Sequence, residues 1–296
     1  MMIQLENEQI KASVLALGAE LRSLVDKKSG KEWMWQADPA FWGKTSPILF
    51  PFVGALKGNA YQYEGKSYNL PRHGFAREMN FDVRKQEGDS VVFGLSSTEE
   101  TRSLFPFDFD LEVEYILVGA ALRVEYRVKN SSVYKPMWSS LGAHPAFAIE
   151  VNDDKGYSDY QLWLEQDEVL NIHPLQGTQL LRKAEAVPLE NGVLPLSYPL
   201  FYNDALVMTD MKSQRILLQN SKDDQKLTFS FSNFPHFGIW AAKDADFVCL
   251  EPWSGVADFE DHDGELTRKF GINQSGPGES WTAEWKVEGG RWNWID

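Results

Sequence analysis

Residues 107–117 read FDFDLEVEYIL and residues 122–129 read LRVEYRVK, with only VGAA between them. In the first stretch Phe107, Phe109, Leu111, Val113 and Tyr115 alternate with Asp108, Asp110, Glu112 and Glu114. In the second, Leu122, Val124, Tyr126 and Val128 alternate with charged residues. A period of two places successive side chains on opposite faces of an extended chain. The pair therefore predicts a long antiparallel hairpin with one dry face and one wet face.

The same grammar extends outward. Shorter hairpins centre on YEGK (Glu64–Gly65), QEGD (Glu87–Gly88) and KKSGK (Ser29–Gly30), and after SGPGES the run WTAEWKV alternates Trp281, Ala283, Trp285 and Val287. No window carries a convincing amphipathic helix of a dozen residues; STEETRSLF suffices for a turn or two. There is no fixed-period repeat, low-complexity tract or Pro/Ser-rich linker. The expectation is an all-β chain, a large antiparallel β-sandwich forming a single domain over residues 1–296. The irregular middle, 152–199, reads as a strand-and-loop excursion from it.

Composition narrows the function. The chain has 296 residues, 43% hydrophobic, with a net charge of −14. Such acidity argues against a nucleic-acid partner or an anionic membrane surface and favours a small ligand. MMIQLENEQIK lacks the basic and apolar regions of a secretory signal, and no stretch approaches the roughly 18 apolar residues of a membrane helix. Cys249 is the only cysteine, which excludes an internal disulfide and fits a reducing, cytoplasmic setting. The sequons at Asn130 and Asn273 then read as chance.

Nucleotide motifs (GxxxxGK[ST], GxGxxG) and the GxSxG elbow are absent, and one cysteine cannot build a thiolate metal cluster. No cofactor and no metal are expected. ADFEDHDGE (257–265) is acidic, but Phe259 stands where a calcium loop needs a carboxylate, so it reads as a solvated loop. Of five histidines, His173 and His262 sit among polar residues and read as surface. His236 suits a pocket rim or the core.

His73, in LPRHGFAR, and His144, in SSLGAHPAFAI, are each open to two readings. One is a structural imidazole held by backbone carbonyls, since a buried ring needs partners for both nitrogens. The other is a proton donor in a pocket wall. Glu251, in VCLEPWSG, ends an apolar run where a carboxylate is costly unless it is paired, satisfied by backbone amides, or used with a raised pKa. A glutamate base and a histidine acid would shuttle protons without a cofactor. Trp138, Phe147, Trp240 and Trp253 lie nearby in sequence and suit either a pyranose face or a core.

SPILFPFVG, YNLPRHGFAR, LGAHPAF, YNDALVM, CLEPWSGVAD and PGES occur in the order seen in the aldose 1-epimerase (galactose mutarotase) family, and the chain resembles its shorter bacterial members. The resemblance implies a β-supersandwich that interconverts the α and β anomers of a free aldose, as a monomer or homodimer with a sugar as its partner. By resemblance Glu251 is the general base and His144 the general acid. His73 hydrogen-bonds the sugar near its ring oxygen, and Asp204 contacts it. Gly142 and Ala143 are then small to let the sugar approach, with Pro145 fixing the backbone behind His144.

The family usually has an arginine where Ala55 stands, and Arg77 is the candidate replacement; Arg77 and Trp253 complete the expected substrate-binding set. The expected pH profile is a bell, its acid limb set by the carboxylate and its alkaline limb by His144, raised by the Glu251 charge. Two alternatives stay open: a hexose-6-phosphate epimerase, for which Arg72 and Arg77 make a thin basic cluster, and a sugar-binding protein without turnover.

Overall fold

A computed structural model describes residues 1–291. The opening hairpin forms as the alternation predicts: Phe109–Val118 pairs antiparallel with Ala121–Asn130, setting Leu111 opposite Val128, Val113 opposite Tyr126 and Tyr115 opposite Val124. All six are buried. Gly119, at φ 60, turns the chain between the two strands.

This hairpin sits inside a nine-stranded antiparallel sheet. Its order runs Val193–Pro195, Tyr160–Leu164, Arg215–Asn220, Gln225–Ser232, Ser280–Arg291, Ala121–Asn130, Phe109–Val118, Ser90–Ser96, Asp82–Gln86. The predicted alternation at Trp281–Val287 falls within Ser280–Arg291, between two neighbours. Its Trp285 is fully buried, stacks on Phe229 at 5.4 Å and donates its indole N–H to the Tyr126 hydroxyl at 2.9 Å.

A second antiparallel sheet faces the first. Its order is Glu185–Pro188, Val169–His173, Leu206–Met208, His236–Trp240, Phe247–Trp253, Gly142–Ala143, Ile48–Leu49, with Ala146–Ala148 also paired to Phe247–Trp253. Phe147 and Phe237 of this sheet meet Phe229 of the first at ring separations of 5.8 and 6.3 Å, so the main core lies between the sheets. Face-to-face packing of two sheets is the sandwich arrangement in which alternating strands bury their apolar side chains. A three-stranded sheet over Met2–Asp26 is tied on by the Tyr115 hydroxyl, which donates to the Ala19 carbonyl at 2.6 Å.

The middle segment supplies strands to both sheets: Tyr160–Leu164 and Val193–Pro195 to one, Val169–His173 and Glu185–Pro188 to the other. STEETRSLF yields the helix Glu99–Leu104, started by a capping box between Thr98 and Thr101. No helix among the described residues is long and apolar enough to cross a membrane. The Asn130 sequon is occupied structurally: its buried amide donates to the carbonyls of Lys135, Ser275 and Gly276.

Three sequence expectations change. His173 is half-buried, with ring nitrogens 2.9 Å from the Leu181 carbonyl and 3.1 Å from the Thr209 hydroxyl. The His262 side chain is only 9% exposed. The acidic tract begins not in solvent but at Asp258, in a buried ion pair with Lys269 at 2.6 Å, while Asp261 and Asp263 pair with Arg182 and Arg268 at its surface. Hydropathy averages cannot show this, because Lys269 lies eleven residues further on.

The Trp285–Tyr126 hydrogen bond is a direct test of this core. Tyr126→Phe leaves a buried indole N–H without its acceptor, a loss of about 1–3 kcal/mol, to be read from urea unfolding. Unchanged stability would show that the indole does not depend on Tyr126.

Candidate functional site

Every residue of the strand Phe247–Trp253 is buried, and alternation turns Cys249, Glu251 and Trp253 to one face. At the end of that face opens a cavity of about 610 Å³, walled by Glu251, Trp253, His144, His73, Trp42 and Trp240. Arg72, Arg77, Asp204, Tyr202 and Lys243 complete one side. Sequence separations of more than a hundred residues close here to single contacts.

The central contact is between His144 and Glu251: Nε2 lies 3.1 Å from Oε2, with side chains 9% and 1% exposed. The approach is close but not aligned as a hydrogen bond, since Oε2 and His144 Nδ1 have no hydrogen-bond partner. The imidazole stacks on Trp42 at 4.9 Å and meets Trp240 edge-on at 5.6 Å. This aromatic clamp fixes the ring plane without using its nitrogens.

Burial dominates the protonation of both groups. It pushes the Glu251 carboxyl well above the usual carboxylate range; Arg72 pulls it down, Asp204 pushes it up, and the nearby Trp253 indole pulls it down. That indole N–H is not an aligned hydrogen-bond donor. Burial also pushes the His144 imidazole down to about 3, opposed by its own backbone and reinforced by Arg77 and Arg72. The expected rise of His144 toward Glu251 is thus reversed: with the carboxyl itself protonated, little negative charge remains to support an imidazolium. Both shifts favour the uncharged pair, carboxyl protonated and imidazole neutral.

His73 stands 6.0 Å from His144, ring centroid to ring centroid. The Gly54 N–H donates to its Nδ1 at 3.1 Å, which leaves the proton on Nε2. Burial first, then His144 and the two arginines, hold it well below the ordinary imidazole range, so it is a neutral donor. The backbone is shaped for this contact. His73 has φ 70, a left-handed conformation uncommon outside glycine, and a Cβ on Gly54 would fall 2.5 Å from the Ala257 nitrogen.

Asp204, also left-handed at φ 81, faces Arg72 at 3.4 Å across the cavity rim. Arg77 donates through Nη2 to the Arg72 carbonyl at 3.1 Å. Both arginines have a buried Nε without a hydrogen bond, that of Arg77 lying 3.8 Å from Glu78 Oε1. Ala55 is only 2% exposed and lies outside the cavity wall, so the positive charge here comes from Arg72, Arg77 and Lys243.

Of the aromatics singled out from sequence, Trp240 and Trp253 line the cavity. Trp138 packs on Tyr63 and Phe107 instead, and Phe147 lies in the core. His236 is a core residue, 6% exposed. Gly142 makes room for an indole rather than a sugar: a Cβ there would lie 2.6 Å from Trp253 Cδ1, and one on Gly238 would lie 2.3 Å from Trp253 Cη2.

Sequence reasoning did not select Trp42 or Lys243 for the site, named Arg72 only for the phosphate alternative, and did not bring Cys249 behind it. Arg72 adjoins His73 and could have been included. Cys249-x-Glu251 on a strand already places thiol and carboxyl on one face. Trp42 has no local signal, since its ring meets His144 only through the fold.

The chain is similar to several known proteins. A sequence model described as aldose 1-epimerase matches residues 1–271. Protein LacX (chromosomal) of Lactococcus lactis subsp. lactis is 34% identical over 266 residues, spanning 87% of this chain and 89% of that protein. The X-ray structure of a galactose mutarotase related enzyme from Lactobacillus acidophilus superposes with a TM-score of 0.93 at 32% identity, covering 98% of this chain and 97% of that one. A galactose mutarotase-like protein from Lactobacillus casei gives 0.90 at 31% identity, covering 98% and 100%.

The reversed protonation makes a prediction about stability. Unfolded, the pair titrates at its ordinary values, 4.5 for Glu251 and 6.5 for His144. Between those values the native and unfolded pairs each hold one proton, so the pair adds no pH dependence. Above 6.5 the unfolded pair loses its proton while native Glu251 keeps it, and stability falls as pH rises. Below 4.5 the unfolded pair gains a second proton that native His144 refuses until about 3, and stability falls again. Glu251→Gln removes the alkaline loss and leaves His144 alone, so the variant loses stability as pH falls below 6.5, whereas wild type does so only below 4.5. Its stability relative to wild type, read from Tm, should therefore climb with pH from 4.5 upward, by up to about 1.4 kcal/mol per pH unit. A pH-independent offset between the two melting curves would show that the native carboxyl is ionised.

Proposed function

This chain belongs to the aldose 1-epimerase family, and from that premise we propose that it interconverts the α and β anomers of an aldose through Glu251 and His144. The observation that carries the reading is the 3.1 Å approach of His144 Nε2 to Glu251 Oε2 in the wall of a sugar-sized cavity. The galactose mutarotase related neighbour, similar over nearly the whole chain, supports the same chemistry.

The reaction needs one proton taken and one given, and the pair holds one proton throughout. Transfer from the Glu251 carboxyl to His144 makes the reactive carboxylate–imidazolium form with no change in total charge. Glu251 then accepts the proton of the C1 hydroxyl while His144 donates to the ring oxygen, and the C1–O5 bond breaks. That step restores the neutral pair, the form burial favours, so desolvation assists ring opening. After rotation about C1–C2, Glu251 returns its proton to the C1 oxygen, His144 takes the O5 proton, and the ring closes as the other anomer. His73 Nε2–H is a neutral donor for the ring-oxygen region, Trp253 offers an apolar face, and Asp204 and Arg77 bind hydroxyls.

Because the neutral pair is the resting form, the limbs of the pH profile exchange owners. The acid limb belongs to the second proton, on His144, and the alkaline limb to the single proton resting on Glu251; both are properties of the pair.

The cations of the rim favour a second reading in one respect. Arg72, Arg77 and Lys243 face a cavity whose carboxylates are Asp204 and the protonated Glu251, in a chain of net charge −14. Guanidinium pairs suit a phosphate, so an aldose phosphate is the alternative substrate.

Polarimetry with the spontaneous rate subtracted tests these readings. Glu251→Gln and His144→Asn should each lower kcat about 10²-fold or more, and His73→Asn should act mainly on KM. A folded Glu251→Gln variant retaining more than about a tenth of wild-type kcat would refute the assignment. Arg77→Ala should weaken a phosphorylated aldose about tenfold more than a free one if the phosphate reading holds. Equal losses on both would favour the free sugar.

A further inference from the structure

Cys249 takes no part in the proton transfers proposed above and does not line the cavity, yet it lies two residues from Glu251 on the same face of the Phe247–Trp253 strand. Its Sγ, a carboxylate oxygen of Glu251 and a ring nitrogen of His144 all lie within 4.8 Å of one another. All three residues are buried, at 0%, 1% and 7% exposure. Glu251 Oε2, 3.1 Å from His144 Nε2, has no hydrogen-bond partner. An unpartnered buried carboxyl oxygen beside a thiol and a ring nitrogen is an arrangement that a cation would satisfy.

We propose that Cys249, His144 and Glu251 form a binding site for a thiophilic divalent cation of the zinc class, entered from the cavity and incompatible with turnover.

The donor set selects the cation. Thiolate and imidazole favour zinc-class ions, whereas magnesium and calcium require several oxygens, and one carboxylate is all this cluster offers. In a tetrahedral zinc site the bonds are about 2.0–2.3 Å, so neighbouring donor atoms sit about 3.3–3.7 Å apart. The three atoms must therefore draw in by about 1 Å from their widest separation, within reach of small side-chain rotations. The fourth position faces the cavity and takes a water or a sugar hydroxyl.

Charge balances as well. The cation replaces the thiol proton and the carboxyl proton, two protons leave, and the complex of M²⁺ with one thiolate, one carboxylate and a neutral imidazole is uncharged. A neutral complex is the form tolerated in a buried site flanked by Arg72 and Arg77.

Binding rests on geometry alone; only its inhibitory consequence rests on the proton-shuttle reading of Glu251 and His144. The test is titration of the purified protein with cobalt(II), a spectroscopic substitute, followed by displacement with zinc(II). Wild type should develop an intense near-ultraviolet thiolate-to-cobalt band that saturates at one ion per chain and is removed by zinc. Cys249→Ser and Cys249→Ala should lack the band, bind zinc at least about tenfold more weakly, and keep wild-type turnover without metal. Absence of the band in wild type, or equal zinc affinity in the folded variants, would overturn the site. Saturation of the band with turnover intact would uphold the cation site and remove the proton-shuttle role from Glu251 and His144.

Discussion

A carboxyl group buried in the central strand of a sheet is the constraint on which this protein turns. Glu251 is 1% exposed, flanked by Leu250 and Pro252, and cross-strand from Gly238. An isolated carboxylate in such a place costs several kcal/mol, so the group rests protonated and its partner imidazole rests neutral. The pair is poised because neither member can carry its charge alone. Separating charge between atoms 3.1 Å apart is the one ionised state the site can reach, since the two charges then stabilise each other.

The surrounding fold holds that pair open. Trp42 and Trp240 fix the His144 ring by its face and edge, and they leave its nitrogens to the cavity. Gly142 and Gly238 give up their side chains so that Trp253 can lie flat against the strands on either side of its own. Gly54 binds His73 through its N–H and packs so tightly on Ala257 that no Cβ fits. Each device spends packing freedom on a fixed donor or acceptor direction, which is what positioned proton transfer requires.

Electrostatics divides the molecule into an acidic exterior and a cationic pocket. Arg72 and Arg77 both lower the imidazoles, and Arg72 also pulls the Glu251 carboxyl down, so it biases both sides of the pair. Arg72 is held by its ion pair with Asp204 at 3.4 Å, and Arg77 by the Arg72 carbonyl and by Glu78 at 3.8 Å. This leaves guanidinium nitrogens facing the cavity for a ligand's oxygens.

Strand period, hairpin turns and the order of motifs are local properties, and the sequence by itself determined them. FDFDLEVEYIL could only be a two-faced strand, and YEGK could turn because Glu64 and Gly65 both reach positive φ. The family resemblance likewise rested on segments readable in one dimension, and it brought His144, His73, Asp204 and Glu251 to one expected site. Three-dimensional proximity decided the rest. Where a proton sits depends on burial from all directions, so the protonation of Glu251 and His144 reversed the expectation drawn from their charges. Gly142 looked like space for a sugar until Trp253, 111 positions further along the chain, filled that space. Trp42 joined the site through packing, an interaction with no signature in the residues beside it. Local sequence sets which way a side chain points along its own strand; only the tertiary structure sets what it points at.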